Sequence, residues 1–115
     1  MARAATTTDV FNAIAEPRRR RIIELLAGGE QDVGELVGAL RLPQPAVSKH
    51  LRVLRTVRLV SVNRRGRRKV YSVNAQELKP VFDWAKTFER FWTVHLDRIK
   101  QRAEEKARQN LSQPE

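Results

Sequence analysis

Residues 43 to 73 constrain the fold most tightly. After Pro43-Gln44-Pro45, apolar residues Val47, Leu51 and Leu54 fall at i, i+4 and i+7, so a helix running to about Thr56 must turn them inward. Pro45, Ser48, Lys49 and Arg52 repeat at helical spacing on the opposite side. Two short β-patterned runs follow, Leu59 to Asn63 and Lys69 to Val73, joined by Arg64-Arg65-Gly66-Arg67-Arg68. Gly66 can take the positive φ that a tight hairpin needs, so the pattern predicts a basic hairpin directly after a two-faced helix.

The charge of the chain lies in the same region. Between Leu36 and Gln76 stand ten basic residues, Arg41, Lys49, Arg52, Arg55, Arg58, Arg64, Arg65, Arg67, Arg68 and Lys69, without an Asp or Glu. The flanks nearly cancel, with 5 basic against 6 acidic residues in 1–35 and 8 against 7 in 77–115, so the formal net charge of +10 sits in one window. Such a window marks a surface built to meet a polyanion. Arginine outnumbers lysine 17 to 6, which favours bidentate contact with phosphate, although a GC-rich genome would have the same effect.

The remaining elements read as helices. Thr7 or Thr8 can cap a short helix carrying Val10, Phe11, Ile14 and Ala15, which ends near Glu16 ahead of a proline. Pro17 suits the first turn of a second helix with Ile22, Ile23, Leu25 and Leu26, stopped by Gly28-Gly29. Arg18 to Arg21 lie in its first turns, where the helix dipole disfavours cations; their reason is expected outside local stability, or they form a solvated face. Asp32 with Glu35 has capping-box spacing for a third helix bearing Leu36, Val37 and Leu40. From Asn74, taken as an N-cap, one long helix is expected to reach about Arg108. Leu78, Val81, Ala85, Phe88, Trp92, His95 and Ile99 form its stripe, and Phe82, Trp84, Phe91 and Leu96 widen it. One small domain cannot easily cover that face, so a second copy of the chain is expected there.

At 115 residues the chain is expected to form one small domain over residues 8–108, with a flexible N-terminus at 1–7 and a disordered tail at 109–115. It lacks cysteine, which excludes disulfides, thiolate metal sites and thiol catalysis and fits a reducing cytoplasm. No stretch resembles a signal peptide or approaches the roughly 18 apolar residues of a membrane span. A soluble cytoplasmic protein is expected.

Helices followed by a basic hairpin give a mainly α fold with the order ααααββα, that of a dimeric winged helix-turn-helix. An α-helix fits the major groove, where residues of its first turns reach base edges. Gln44 can pair with adenine, Ser48 suits base or phosphate, and Lys49 and Arg52 suit guanine or phosphate, with Arg55 further along the helix. Arg64, Arg65, Arg67, Arg68 and Lys69 of the hairpin suit the DNA backbone or a narrow minor groove.

Leu40-Arg41-Leu42-Pro43-Gln44-Pro45-Ala46-Val47-Ser48-Lys49-His50-Leu51-Arg52-Val53-Leu54, then Leu59-Val60, Arg65-Gly66-Arg67 and Val70-Tyr71-Ser72-Val73, resembles the ArsR/SmtB family of bacterial winged-helix repressors. The likeness also takes in Phe11 to Arg19 and Ile22 to Leu26, and so spans roughly residues 8 to 100. It implies a homodimer joined through the first and last helices, binding double-stranded DNA at an inverted-repeat operator and usually repressing transcription, often of its own operon. Carried over by residue, base-facing positions fall on Gln44, Pro45, Ser48 and Lys49, and the wing on Arg64 to Lys69. The dimer face falls on Val10, Phe11 and Ile14 with Phe82, Ala85, Phe88, Trp92, His95 and Ile99.

Two departures from the family stand out. Arg58 occupies a position where members commonly carry glycine, and a positive φ there would strain it or force another turn. The metal-sensing cysteines of the third helix are replaced by Val33, Gly34, Glu35 and neighbours, and the last helix has one imidazole, His95, beside Asp83 and Asp97. With about four donors needed for zinc, no metal site and no cofactor are expected.

Other residues have plainer readings. His50 points toward Val47 and Leu54 and reads as structural; His95 reads as an interface residue, and the aromatic stripe as core in preference to a small-molecule pocket. An enzyme is disfavoured because His50 has no carboxylate partner in its window and no phosphate-cradling glycine loop appears. The alternative function is a sequence-independent architectural DNA-binding protein, which would share the charge but needs no Gln- and Ser-bearing helix face. The small-molecule effector, if one exists, is not legible.

Overall fold

The computed structural model describes residues 9–112, so the expected flexible stretch at 1–7, the Thr7 or Thr8 cap and residues 113–115 of the expected tail lie outside the described residues. The elements run α1 (Val10–Ala13), α2 (Pro17–Ala27), β1 (Gln31–Asp32), α3 (Val33–Leu40), α4 (Gln44–Thr56), β2 (Val60–Arg65), β3 (Arg68–Val73), a 3₁₀ turn (Ala75–Leu78), α5 (Lys79–Lys86) and α6 (Glu89–Ser112). The chain divides into two compact units, residues 1–81 and 82–115.

In the first unit Asp9 caps α1 by accepting from the Asn12 amide at 2.7 Å. Being one turn long, α1 pairs its Val10 and Asn12 carbonyls with the Ile14 and Ala15 amides, and the basic run at the start of α2 reaches back to the carbonyls at its C-terminal end. Arg19 Nε donates to the Ala13 carbonyl at 2.6 Å and Arg20 to that of Ile14 at 2.7 Å. Contrary to the sequence expectation, then, Arg19 and Arg20 serve local stability by capping the preceding helix, while Arg18 and Arg21 pair with Glu16 and Glu24.

Asp32 has two structural jobs. Its side chain and that of Glu35 complete the capping box of α3, each at 2.8 Å from the other's backbone amide. Its backbone, with that of Gln31, adds a third strand to the expected hairpin, giving an antiparallel sheet of order β1-β3-β2 with Gln31 opposite Tyr71 and Asp32 opposite Val70. Ile22, Leu36, Val47, Leu51, Leu54 and Leu59 are fully buried and join Leu26, Val60 and Tyr71 in one core, which therefore draws on every larger element of this unit. Each such side chain contributes about 1.5–3 kcal/mol relative to exposure.

Among the described residues two non-glycine residues take positive φ, Arg41 at 57° after α3 and Arg58 at 66° after α4. A left-handed arginine costs roughly 1–2 kcal/mol. At Arg58 the Asn74 amide holds the turn, donating to the Arg58 carbonyl at 2.9 Å and to Ser61 Oγ at 2.7 Å. Asn74 is therefore a clasp between the end of α4 and the sheet, not the side-chain cap expected from its spacing to Glu77.

The expected single helix from Asn74 to Arg108 is interrupted. Pro80 has no amide hydrogen with which to extend a helix through Ala75 to Leu78, so that segment is a 3₁₀ turn and the α geometry begins at Lys79. At Thr87-Phe88 the amides bond to the Trp84 and Ala85 carbonyls, three residues back, and the Thr87 hydroxyl also donates to Trp84. In the second unit α6 then continues through Ser112, beyond the expected end, so Gln109 to Ser112 are helical where a disordered tail was expected. The aromatic residues of this unit are largely exposed: Phe82 at 62%, Phe91 at 67% and Trp92 at 45%. Trp84 meets Phe88 edge-on at 5.5 Å, and His95 stacks on Phe91 at 5.8 Å. Among the described residues no helix is long and apolar enough to cross a membrane.

Candidate nucleic-acid interface

α4 begins two residues earlier than the turn reading implied. Pro43 is its N-cap residue and makes no side-chain cap, while Gln44 and Pro45 form the first turn. Because Val47, Leu51 and Leu54 are buried, the opposite side is held outward: Gln44, Pro45, Lys49, Arg52 and Arg55 are exposed and Ser48 is half-buried. This row combines a neutral amide and a hydroxyl with three cations, on an element whose rotation is fixed by its core-facing side. His50 is half-buried on the flank. Burial pushes its pKa below 6.5; Glu16 opposes that, and Arg19, Arg18 and Lys49 add to the lowering. The shift favours the neutral ring, as suits a structural histidine.

The hairpin is longer than expected, and this sorts its cations by face. β2 and β3 extend to Arg65 and Arg68, leaving a two-residue loop of Gly66, at φ 64°, and Arg67. Arg64 lies opposite Lys69 on one face; Arg65 lies opposite Arg68 on the other. The second pair is not free. Arg65 bonds to Glu30 at 2.9 Å, and Arg68 reaches Asp32 through both Nε, at 3.1 Å, and a terminal nitrogen, at 2.9 Å, with Glu35 at 3.3 Å. Three carboxylates from outside the basic window therefore neutralise part of it in space. Of the five wing cations, Arg64, Arg67 and Lys69 are unpaired among the described residues, whereas Arg65 and Arg68 brace the wing against the β1 and α3 region.

The brace also acts on the Asp32 carboxyl. The Glu35 amide, the Arg68 guanidinium and the Gly34 amide hold it below 3.8 against partial desolvation. A lowered carboxyl pKa stabilises the fold above the ordinary value, and the contribution is lost as pH falls through the lowered one. In Arg68→Ala the Asp32 pKa, followed by NMR, is expected to rise towards 3.8, and acid unfolding is expected to begin at higher pH. An unmoved titration would remove Arg68 from the brace.

Of the residues assigned to a dimer face, Val10 is 9% exposed and Ile14 half-buried, both packed in the core of the first unit. Val10 is withdrawn from that face, since its apolar surface is already spent inside the chain. Phe11, Phe82, Phe88, Trp92 and Ile99 are exposed, Ala85 is half-buried, and His95 is exposed beside Phe91. Arg58, Thr56 and Ser61, for which the sequence carries no site signal, line one groove with Arg52 and Arg55.

A buried-backed helix, a short helix before it and a basic antiparallel wing after it define a winged helix-turn-helix. Comparison with known proteins makes the class specific. Residues 16–62 match the family described as bacterial regulatory protein, arsR family. The chain is 42% identical over 86 residues to the HTH-type transcriptional regulator Rv2034 of Mycobacterium tuberculosis, covering 75% of this chain and 78% of that one. It is 34% identical over 80 residues to the transcriptional repressor SdpR of Bacillus subtilis, covering 70% and 89%. Among solved structures, an ArsR-like transcriptional regulator from Rhodococcus sp. RHA1 superposes with a TM-score of 0.67 at 29% identity, over 88% of this chain and 93% of that one. The chain belongs to the arsR family of bacterial regulatory proteins. It is a DNA-binding transcription regulator and not an enzyme.

Proposed function

We propose that the protein is a cytoplasmic homodimeric repressor that reads an inverted-repeat operator through α4, with one wing per subunit on the flanking backbone, and that it does not respond to metal. The carrying observation is the outward face of α4, where Gln44, Pro45, Ser48 and Lys49 stand in the first two turns above a fully buried back. Residues there reach base edges when a helix enters the major groove, and a glutamine and a serine add hydrogen-bonding detail that non-specific attraction does not require. Lys49, Arg52, Arg55, Arg64, Arg67 and Lys69 supply phosphate contacts, which position the protein without reading sequence.

Support for the second copy comes from the second unit, where Phe82, Phe88, Phe91, Trp92 and Ile99 are all exposed, since clustered exposed apolar side chains mark interaction surfaces. A two-fold dimer presents two α4 helices to half-sites about one helical turn apart. Footprinting on the DNA upstream of the protein's own gene tests the proposal. Two protected half-sites related by a dyad are expected; protection that follows no sequence would favour the architectural reading.

A further inference from the structure

Where α4 ends and β2 begins, an open groove of about 670 Å³ is lined by Arg52, Arg55, Arg58, Ser61, Asn74 and Glu77, among others. Among the described residues none of the three arginine side chains has a hydrogen bond or an ion pair, in contrast to Arg65 and Arg68 on the wing. Arg58 holds a left-handed conformation that glycine would adopt without strain, and an outlier of this kind points to a use for the side chain. The Asn74 clasp fixes both Arg58, by its carbonyl, and Ser61, by its Oγ. Since Ser61 Oγ accepts from Asn74, its hydroxyl hydrogen is left to donate. Three guanidiniums and a hydroxyl donor around one open space match the oxygens of a phosphate, and Glu77 is the one carboxylate in the lining.

We propose that this groove is a phosphate site, with Arg58 and Ser61 as its fixed members, and that its occupant is a backbone phosphodiester of the duplex beyond the bases read by α4. The inference rests on the DNA-binding reading above. Ser48, Arg52 and Arg55 fall at i, i+4 and i+7, so one stripe leads from the base-reading turns of α4 into the groove. The contact carries no base preference and adds one phosphate to the footprint of each subunit.

Arg58→Gly tests this, because glycine relieves the strained φ while removing the guanidinium. The variant is expected to melt no lower than the native protein, to bind operator and random duplex about three- to tenfold more weakly alike, and to lower the slope of log K against log salt by about 0.9 per subunit. Arg58→Lys is expected to restore most of the slope. Unchanged affinity and slope in Arg58→Gly would overturn the proposal. A second arm titrates the native protein with inorganic phosphate and follows the Ser61 and Arg58 amides by NMR. Shifts in the native protein that vanish in Arg58→Gly support the phosphate site even if duplex binding itself fails; absent shifts together with an unchanged salt slope overturn it.

Discussion

Changing Lys49 and Arg52 together to alanine is expected to weaken operator binding by at least about 30-fold and to leave thermal unfolding nearly unchanged. Both side chains are exposed on the face of α4 opposite Val47, Leu51 and Leu54, so their removal opens no cavity. Exposed substitutions of this kind usually stay within about 0.5 kcal/mol of the parent. A good contact to a guanine edge or a phosphate is worth about 1–3 kcal/mol, and losing two gives the expected weakening. Fluorescence anisotropy with a labelled operator, beside a thermal melt, separates the two effects. Native affinity in the double variant would show that another surface grips DNA.

Trp92→Ala is expected to weaken self-association by about 30-fold or more. Trp92 is 45% exposed in the single chain and lies on α6 among Phe88, His95 and Ile99. Buried aromatic anchors at the centre of an interface commonly cost 2 kcal/mol or more on truncation, and 1.4 kcal/mol is tenfold in a dissociation constant. Sedimentation across a concentration series measures this directly. DNA affinity is expected to fall with it, because two linked half-site contacts lose their effective concentration when the dimer separates. A dimer of undiminished stability would place the interface elsewhere.

What the sequence made legible was whatever depends on short-range periodicity. The i, i+4, i+7 spacing of Val47, Leu51 and Leu54 was enough to orient α4, and Gly66 to place the hairpin tip. The Asp32 and Glu35 box was legible for the same reason, as a local motif with three-residue spacing. Strand β1 was not, because two residues carry no alternation and pair only once β3 is alongside. The break at Pro80 had a local signal that the aromatic stripe outweighed: a stripe at three- and four-residue spacing continues through a proline even when the hydrogen bonds do not.

Misreadings of charge had a different origin. A count along the chain treated residues 36–76 as free of acid, yet folding brings Glu30, Asp32 and Glu35 against Arg65 and Arg68. Arg19 and Arg20 likewise found their partners in carbonyls six residues back, across a turn. Linear charge therefore marked the proposed DNA-facing region but overstated how much of its charge is unpaired. Among the described residues the unpaired set of that window is Arg41 after α3, Lys49, Arg52 and Arg55 on α4, Arg58 in the turn after it, and Arg64, Arg67 and Lys69 on the unbraced part of the wing.

The central claim is that this surface reads sequence as well as charge. Its most direct test is the ratio of affinities for the footprinted operator and for random duplex of the same length, measured at several salt concentrations. A ratio of about a thousand or more at physiological salt is predicted, with both affinities falling as salt rises. A ratio near one, at any salt concentration where binding is measurable, would contradict it.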